Sequence, residues 1–343
     1  MAPCADGGGE YMSPEITKEF AQRFRSLATE FSEHDLQEFL QSATVVEVPA
    51  GRKLIKARMP VDSIYLTLSG ALEILVEING VTRKVDDVGP GEWLGEVSVL
   101  SGDPRASASV STATPTRVLR LKHQALEEMM SKDGELSILI LQHLVLMMAD
   151  KLVNLKSQLS EMVKTKRAAD GSPAVNPEPT DDKADYWPVC NLADSSGNLT
   201  SFLSTLPGIE NFSPTDINIL TKSVKVTLYP ARHMFTYQGQ RGDSVYLVVD
   251  GAVLMRSVNP LANTVSEKIL NIGEWFALPS LTSDLTEFET VSAPKPVFVA
   301  SITRDDFNRM FDESRAVSRF FLYMLVNELA RKVQVLHATM RGG

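Results

Sequence analysis

The chain repeats itself, and that fact constrains its fold more than any other. Phe31-Ser32-Glu33-His34-Asp35-Leu36 is matched 181 residues on by Phe212-Ser213-Pro214-Thr215-Asp216-Ile217. The same offset sets Pro49 on Pro230, Asp62-Ser63-Ile64-Tyr65-Leu66 on Asp243-Ser244-Val245-Tyr246-Leu247, Gly70-Ala71 on Gly251-Ala252 and Leu121 on Ile302. One inserted residue moves Gly91-Glu92-Trp93-Leu94 onto Gly273-Glu274-Trp275-Phe276, at offset 182. A register held over about ninety residues marks a tandem duplication, so one copy's fold is expected of the other.

Each copy opens on a helical lead-in at Ser32-x-x-Asp35 or Ser213-x-x-Asp216, where a hydroxyl caps the helix and an acid favours its first turn. Short β-rich runs follow at 43–48, 53–56, 63–68, 71–78 and 81–87. Ile64, Leu66 and Leu68 alternate with Tyr65 and Thr67, and glycines at 51, 70, 80, 89 and 91 punctuate the runs as turns. The pattern predicts a mainly β fold with flanking helices (α+β): two tandem eight-stranded jelly-roll or β-barrel domains, each with N-terminal and C-terminal helices. The expected layout is an N-terminal tail over 1–19, a first domain over 20–163, a flexible linker over 164–198 and a second domain over 199–340. Pro173, Pro177, Pro179, Asp181, Asp182 and Asp185 give the linker a composition that buries no core.

With 343 residues, 43% of them hydrophobic and 22% charged, the chain can build two globular cores. Its net charge of -9 argues against nucleic acid as a partner. The longest apolar run, Leu136 to Ala149, is shorter than the roughly 18 residues that a membrane span needs. Met1 to Glu10 lacks the basic-then-apolar layout of a signal peptide. Cys4 and Cys190 make no disulfide framework and fit a reducing compartment, so a cytoplasmic protein is expected. The five histidines, at 34, 123, 143, 233 and 337, are scattered without an H-x-H pair, and no nucleophile–base constellation appears. Neither an enzyme nor a metal site is expected.

The chemistry is concentrated in Gly91-Glu92-Trp93-Leu94-Gly95-Glu96-Val97-Ser98-Val99-Leu100-Ser101-Gly102-Asp103-Pro104-Arg105-Ala106-Ser107-Ala108. Glu96 and Arg105 stand nine residues apart around a glycine-bearing turn. If Val97 to Leu100 form a helical turn, its free N–H groups point at an anion. Arg105 offers a planar, permanently charged fork suited to phosphate, and Glu96 an acceptor suited to a ribose hydroxyl. The bland alternative is a surface Glu–Arg pair, which leaves the Gly-Glu and Pro-Arg-Ala context unexplained.

This segment resembles the phosphate-binding cassette of cyclic nucleotide-binding domains, which runs Gly-Glu-aliphatic-small-aliphatic, four variable residues, Pro, Arg, Ala. Gly95, Glu96, Val97, Ser98, Val99, Pro104, Arg105 and Ala106 match it without a gap. The resemblance implies that Arg105 binds the exocyclic oxygens of a cyclic phosphate and Glu96 the ribose 2′-hydroxyl. Gly95, Val97, Ser98 and Ala106 would add backbone or close-approach contacts. Members selective for cGMP often carry Thr where this chain has Ala106, so cAMP is the expected ligand and cGMP the less favoured one. The base cap would come from Gln142, His143, Tyr186 or Trp187. In the second copy the same positions read Ala277, Leu278, Pro279 and Glu287, and a carboxylate in place of the arginine repels phosphate. That copy is expected to be degenerate.

Leu141, Val145, Met148, Leu152, Leu155, Leu159 and Met162, and then Leu322, Val326, Leu329, Val333, Leu336 and Met340, fall at alternating spacings of four and three. A homodimer seam and a helix folding back on its own barrel both satisfy that spacing. The length and charged flanks of the first seam favour self-association. The expected function is a cAMP sensor that signals to an unidentified protein effector through its tail helices. The alternatives are a ligand-independent dimeric scaffold and a kinase regulatory-subunit-like protein. No DNA-reading head is expected, because only Arg341, Gly342 and Gly343 follow Met340. Against the kinase alternative, the N-terminal stretch has no Arg-Arg-x-Ser or Arg-Arg-x-Ala, and Lys166-Arg167-Ala168-Ala169 echoes it only weakly.

Overall fold

A computed structural model describes residues 13–78, 81–132, 134–170, 196–283 and 285–342. Cys4, Tyr186, Trp187, Cys190 and most of the expected linker lie outside them. The chain divides into two compact units, one through Leu144 and one from Val145.

The first unit opens with α1 (Pro14–Arg23), α2 (Arg25–Glu30) and α3 (Glu33–Gln41). The expected cap is present: Ser32 Oγ accepts from the Asp35 N–H at 3.1 Å, and the Asp35 carboxylate accepts from the Ser32 N–H at 3.2 Å. Eight strands follow: β1 (Ala43–Val48), β2 (Lys53–Ile55), β3 (Ser63–Ser69), β4 (Leu72–Ile78), β5 (Val81–Val88), β6 (Trp93–Leu94), β7 (Ser109–Thr112) and β8 (Thr116–Lys122). They form two antiparallel sheets, ordered β1-β8-β3-β6 and β2-β7-β4-β5. This is a jelly roll and not a closed barrel. β6 has two residues and β2 three, too few to carry a ladder around.

Ile64 pairs with Leu121 and Leu66 with Leu119, all buried. Burial along β3 departs from strict alternation, because α1 packs on the same strand and Thr67 is buried as well. Phe20 of α1 stacks on Phe24 and meets Phe39 of α3, with ring centroids 5.1 and 5.5 Å away. A bulge at Thr67/Ser69 leads into Gly70, whose φ of 94° and closeness to Thr116 Oγ1 (2.5 Å from a Cβ built there) leave room for glycine alone. The unit also holds α4 (Glu96–Leu100), α5 (His123–Ser131) and the start of α6 (Glu135–Asp170).

The second unit repeats this plan. After α7 (Ser196–Leu203) and α8 (Pro214–Ser223), the latter with the same capping box at Ser213 and Asp216, come eight strands. They are β9 (Lys225–Tyr229), β10 (Met234–Thr236), β11 (Ser244–Asp250), β12 (Val253–Asn259), β13 (Thr264–Leu270), β14 (Trp275–Phe276), β15 (Thr290–Ser292) and β16 (Val297–Thr303). The sheets are ordered β14-β11-β16-β9 and β10-β15-β12-β13. The bulge recurs 181 residues on, at Val248/Asp250. A 3-10 turn, Leu278–Leu281, replaces the short α4 helix, and α9 (Arg304–Glu313) and α10 (Arg315–Gly342) close the unit.

The heptad seams are covered within the chain. Val145, Met148, Leu152, Leu155 and Leu159 of α6 are buried, as are Leu322, Val326, Leu329 and Val333 of α10. Leu159 and Val163 cluster with Leu261, and Met162, Leu336 and Met340 pack against them. Helix α6 also contains an 18-residue window of mean hydropathy 1.7, half of it buried inside the protein. By length and composition it is the one candidate span among the described residues.

Candidate functional site

In the first copy, β6 delivers the chain to Gly95 at φ 83°, the residue that starts α4. A Cβ at Gly95 would lie 2.7 Å from the Ser63 carbonyl oxygen, so the turn requires glycine. The five residues of α4 are all buried, and Glu96 is only 2% exposed. The first N–H groups of this turn have no partner inside the helix itself. Past Gly102 the chain returns along a fixed track. Val61 N–H donates to Pro104 O at 2.8 Å, Ala106 N–H to Met59 O at 2.9 Å, and Arg58 N–H to Ala106 O at 2.8 Å. Arg105 sits in an isolated antiparallel bridge with Pro60 and carries its side chain outward, 69% exposed. Its Nε and Nη2 donate to the two oxygens of Asp103, each at 2.9 Å, and its backbone N–H donates to Asp103 Oδ1 at 3.1 Å. The pair holds the Asp103 carboxyl below the usual carboxylate range and pushes the Arg105 guanidinium up. A rigid loop thus presents a guanidinium fork already engaged by two anionic oxygens, with a buried carboxyl group nine residues before it.

In the second copy the corresponding turn begins at Ala277, which takes the left-handed φ of 60° that Gly95 takes in the first. Glu287, in register with Arg105, is buried at 4% exposure. Ser280 Oγ–H donates to its Oε1 at 2.6 Å. Burial raises its pKa to about 7, against the lowering pull of Ser280, Lys156 and Lys332.

The model of the cyclic nucleotide-binding domain family matches residues 45–133 and 226–314, just over half of the chain. The chain belongs to that family. Over 271 residues it is 22% identical to the cAMP-dependent protein kinase regulatory subunit of Yarrowia lipolytica, covering 79% of this chain and 55% of that protein. A stretch of 102 residues is 28% identical to a cyclic nucleotide-gated potassium channel of Mesorhizobium japonicum, 30% of this chain and 27% of the channel. The chain spans about half or less of the length of the curated relatives it matches. Among solved structures, the regulatory domain of Toxoplasma gondii PKA with cAMP is 18% identical, with a TM-score of 0.33 and coverage of 89% of this chain and 95% of that one.

Within the first cyclic nucleotide-binding domain, the structure gathers Gly95, Glu96, Val97, Ser98, Pro104, Arg105 and Ala106 into one turn–helix–return segment. The base-cap candidates fare differently. His143 packs on the Trp93 ring, with centroids 5.6 Å apart, and burial lowers its pKa. Gln142 is half-buried on the same helix, and Tyr186 and Trp187 lie outside the described residues. Sequence reasoning missed Asp103, which sits among the four variable positions. Its signal was a carboxylate two residues before an arginine, directly after a glycine turn.

Proposed function

We propose that the first domain is a cAMP sensor and that the protein is regulatory and not catalytic. The observation that carries the reading is the ungapped Gly95-Glu96 to Pro104-Arg105-Ala106 cassette, folded as a pinned loop with Glu96 buried and Arg105 facing out, in a family member. In this reading Arg105 exchanges Asp103 for the cyclic phosphate, a swap between two charge-assisted pairs of similar geometry. Glu96 accepts from the ribose 2′-hydroxyl, the helical turn supplies backbone N–H groups, and Ala106 leaves a guanine amino group without a hydroxyl partner. The second domain holds Glu287 where a phosphate would need a cation, and so takes no cyclic nucleotide in this manner.

Ligand closure at α4 biases the tail helices and so a protein effector, as a two-state switch. The domain boundaries of the notional layout, the linker and a cytoplasmic setting belong to the same proposal. The homodimer shifts from the buried seams to the open face of α6, where Leu146 (65% exposed) and Val153 (49%) lie seven residues apart. Thermal-shift titration with cAMP and cGMP tests the sensor directly. A saturating ligand at about 100 times its dissociation constant stabilises the domain that binds it by about 2.7 kcal/mol. A cAMP-selective shift lost in Arg105→Ala is expected, and equal affinity in that variant removes the site assignment. A kinase regulatory role is the second reading, favoured by the alignment across both domains with the Yarrowia lipolytica subunit. Its test is cAMP-sensitive inhibition of a protein kinase A catalytic subunit by the purified chain.

A further inference from the structure

The second domain keeps a cavity at its altered cassette. It has a volume of about 270 Å³, just below the usual range for ligand sites and large enough for a small organic molecule. Phe235, Tyr237 and Tyr246 form its aromatic walls, and Ser280 and Glu287 supply buried polar groups. Gly242 lets the backbone pass close enough for this. A Cβ built there would lie 2.0 Å from Ser280 Oγ and 3.0 Å from Glu287 Oε1.

The two lysines that act on Glu287 are engaged elsewhere. Lys156 of α6 donates to Thr286 Oγ1 at 2.9 Å and lies 4.0 Å from the centre of the Phe288 ring. Lys332 of α10 pairs with Glu289 and, at 3.1 Å, with Glu328. Glu328 also pairs with Arg331 at 2.6 Å, so among the described residues Glu287 is the one of these three carboxyl groups without an ion pair. The Arg304 guanidinium donates to two carbonyls, Ser280 O at 2.8 Å and Gly242 O at 2.7 Å, and keeps its positive charge there. At the rim, exposed Arg241 and Asp243 oppose each other in sign.

We propose that this cavity is a binding site for a small organic ammonium ion, its N–H groups donating to Glu287 and its apolar body lying against Phe235, Tyr237 and Tyr246. A buried carboxylate without an ion pair, beside aromatic walls, is the combination that favours a desolvated cation over a neutral or anionic ligand. The duplicated fold thus has sites of opposite preference, because one arginine position has become a carboxylate. The proposal stands apart from the reading of the first domain.

Because burial places the Glu287 pKa at about 7, ammonium binding competes with a proton. Glu289, Lys156, Lys332, Tyr246 and Ser280 set that balance from the elements around it. Affinity should fall about tenfold from pH 8 to pH 6, as the carboxylate is protonated. The experiment is isothermal titration of the full chain with phenethylammonium, and with 2-phenylethanol as the neutral analogue, at both pH values. Binding of the ammonium at least tenfold tighter than the alcohol at pH 8, with the preference shrinking at pH 6, is expected. Glu287→Gln, which keeps an acceptor for Ser280, should erase the preference, and Tyr237→Leu should weaken the ammonium severalfold. Equal binding of the two probes, no saturation by the ammonium, or an intact preference in Glu287→Gln overturns the proposal. If Glu287→Gln does not fold, the two probes at two pH values on the unaltered chain decide it alone.

Discussion

Asp103 and Glu287 are the residues where local electrostatics adds most to the family pattern. Asp103 occupies the Arg105 fork from within the loop, so any phosphate must displace it. Asp103→Asn keeps an acceptor for the Arg105 backbone N–H while removing the competing charge. It should raise cAMP affinity by about threefold, the modest scale of an exposed pair, as read by isothermal titration. A loss of affinity would instead assign Asp103 to holding the loop. Glu287 works in the other direction. Its carboxyl loses its proton near pH 4.5 when unfolded and near 7 when folded, so the folded state holds more protons between those values and stability falls as pH rises through them. Glu287→Gln should flatten that decline and stabilise the chain at pH 8 by on the order of 2–3 kcal/mol, measured by urea denaturation across pH. The cassette was legible in the sequence because Gly95 to Ala106 is one contiguous loop whose turn, helix and return arm are coded locally. Asp103 is not legible in the same way, because the pattern fixes no residue type at those four positions. A base cap is not coded locally, because it depends on chain packing from a distance: His143, one of its candidates, packs on Trp93.

At the level of elements, the duplication foretold which elements recur. Capping boxes at Ser32 and Ser213, matched bulges 181 residues apart and paired short strands at Trp93 and Trp275 all follow from positions visible in both copies. The heptads of α6 and α10 identified the buried faces correctly, yet spacing carries no label for what does the burying. Any apolar surface satisfies Leu152 or Val326, and here it is the chain itself that covers them. Leu152→Ala should therefore cost about 2–5 kcal/mol in the isolated monomer, independent of protein concentration. Leu146→Ala, on the open face, should stay within about 0.5 kcal/mol. A destabilisation of Leu152→Ala that grows on dilution would return the seam to an interface between copies. Ala277 is a further element-level compromise. It starts the 3-10 turn in a left-handed conformation that costs a non-glycine residue roughly 1 kcal/mol, and Ala277→Gly should recover a similar amount in chemical denaturation.

For the molecule as a whole, the two proposed sites differ in charge, and ligands should report on them separately. Hydrogen exchange with cAMP should slow amides over 95–106 and leave 277–287 unchanged. Protection at both segments would show that the second domain also takes the nucleotide. The aromatic strand β6 offers a simpler view of the same event. Trp93 sits two residues before Gly95, buried, with the His143 imidazole and the edge of Phe24 on its ring. Trp275 holds the equivalent place before Ala277, against Phe320 and Phe321. Each domain therefore carries its own intrinsic fluorophore two residues before its cassette turn. With Trp187→Phe as background, replacing Trp275 by Phe leaves emission from the first domain alone, and replacing Trp93 leaves that of the second. The protein is in effect built with a separate optical channel for each half.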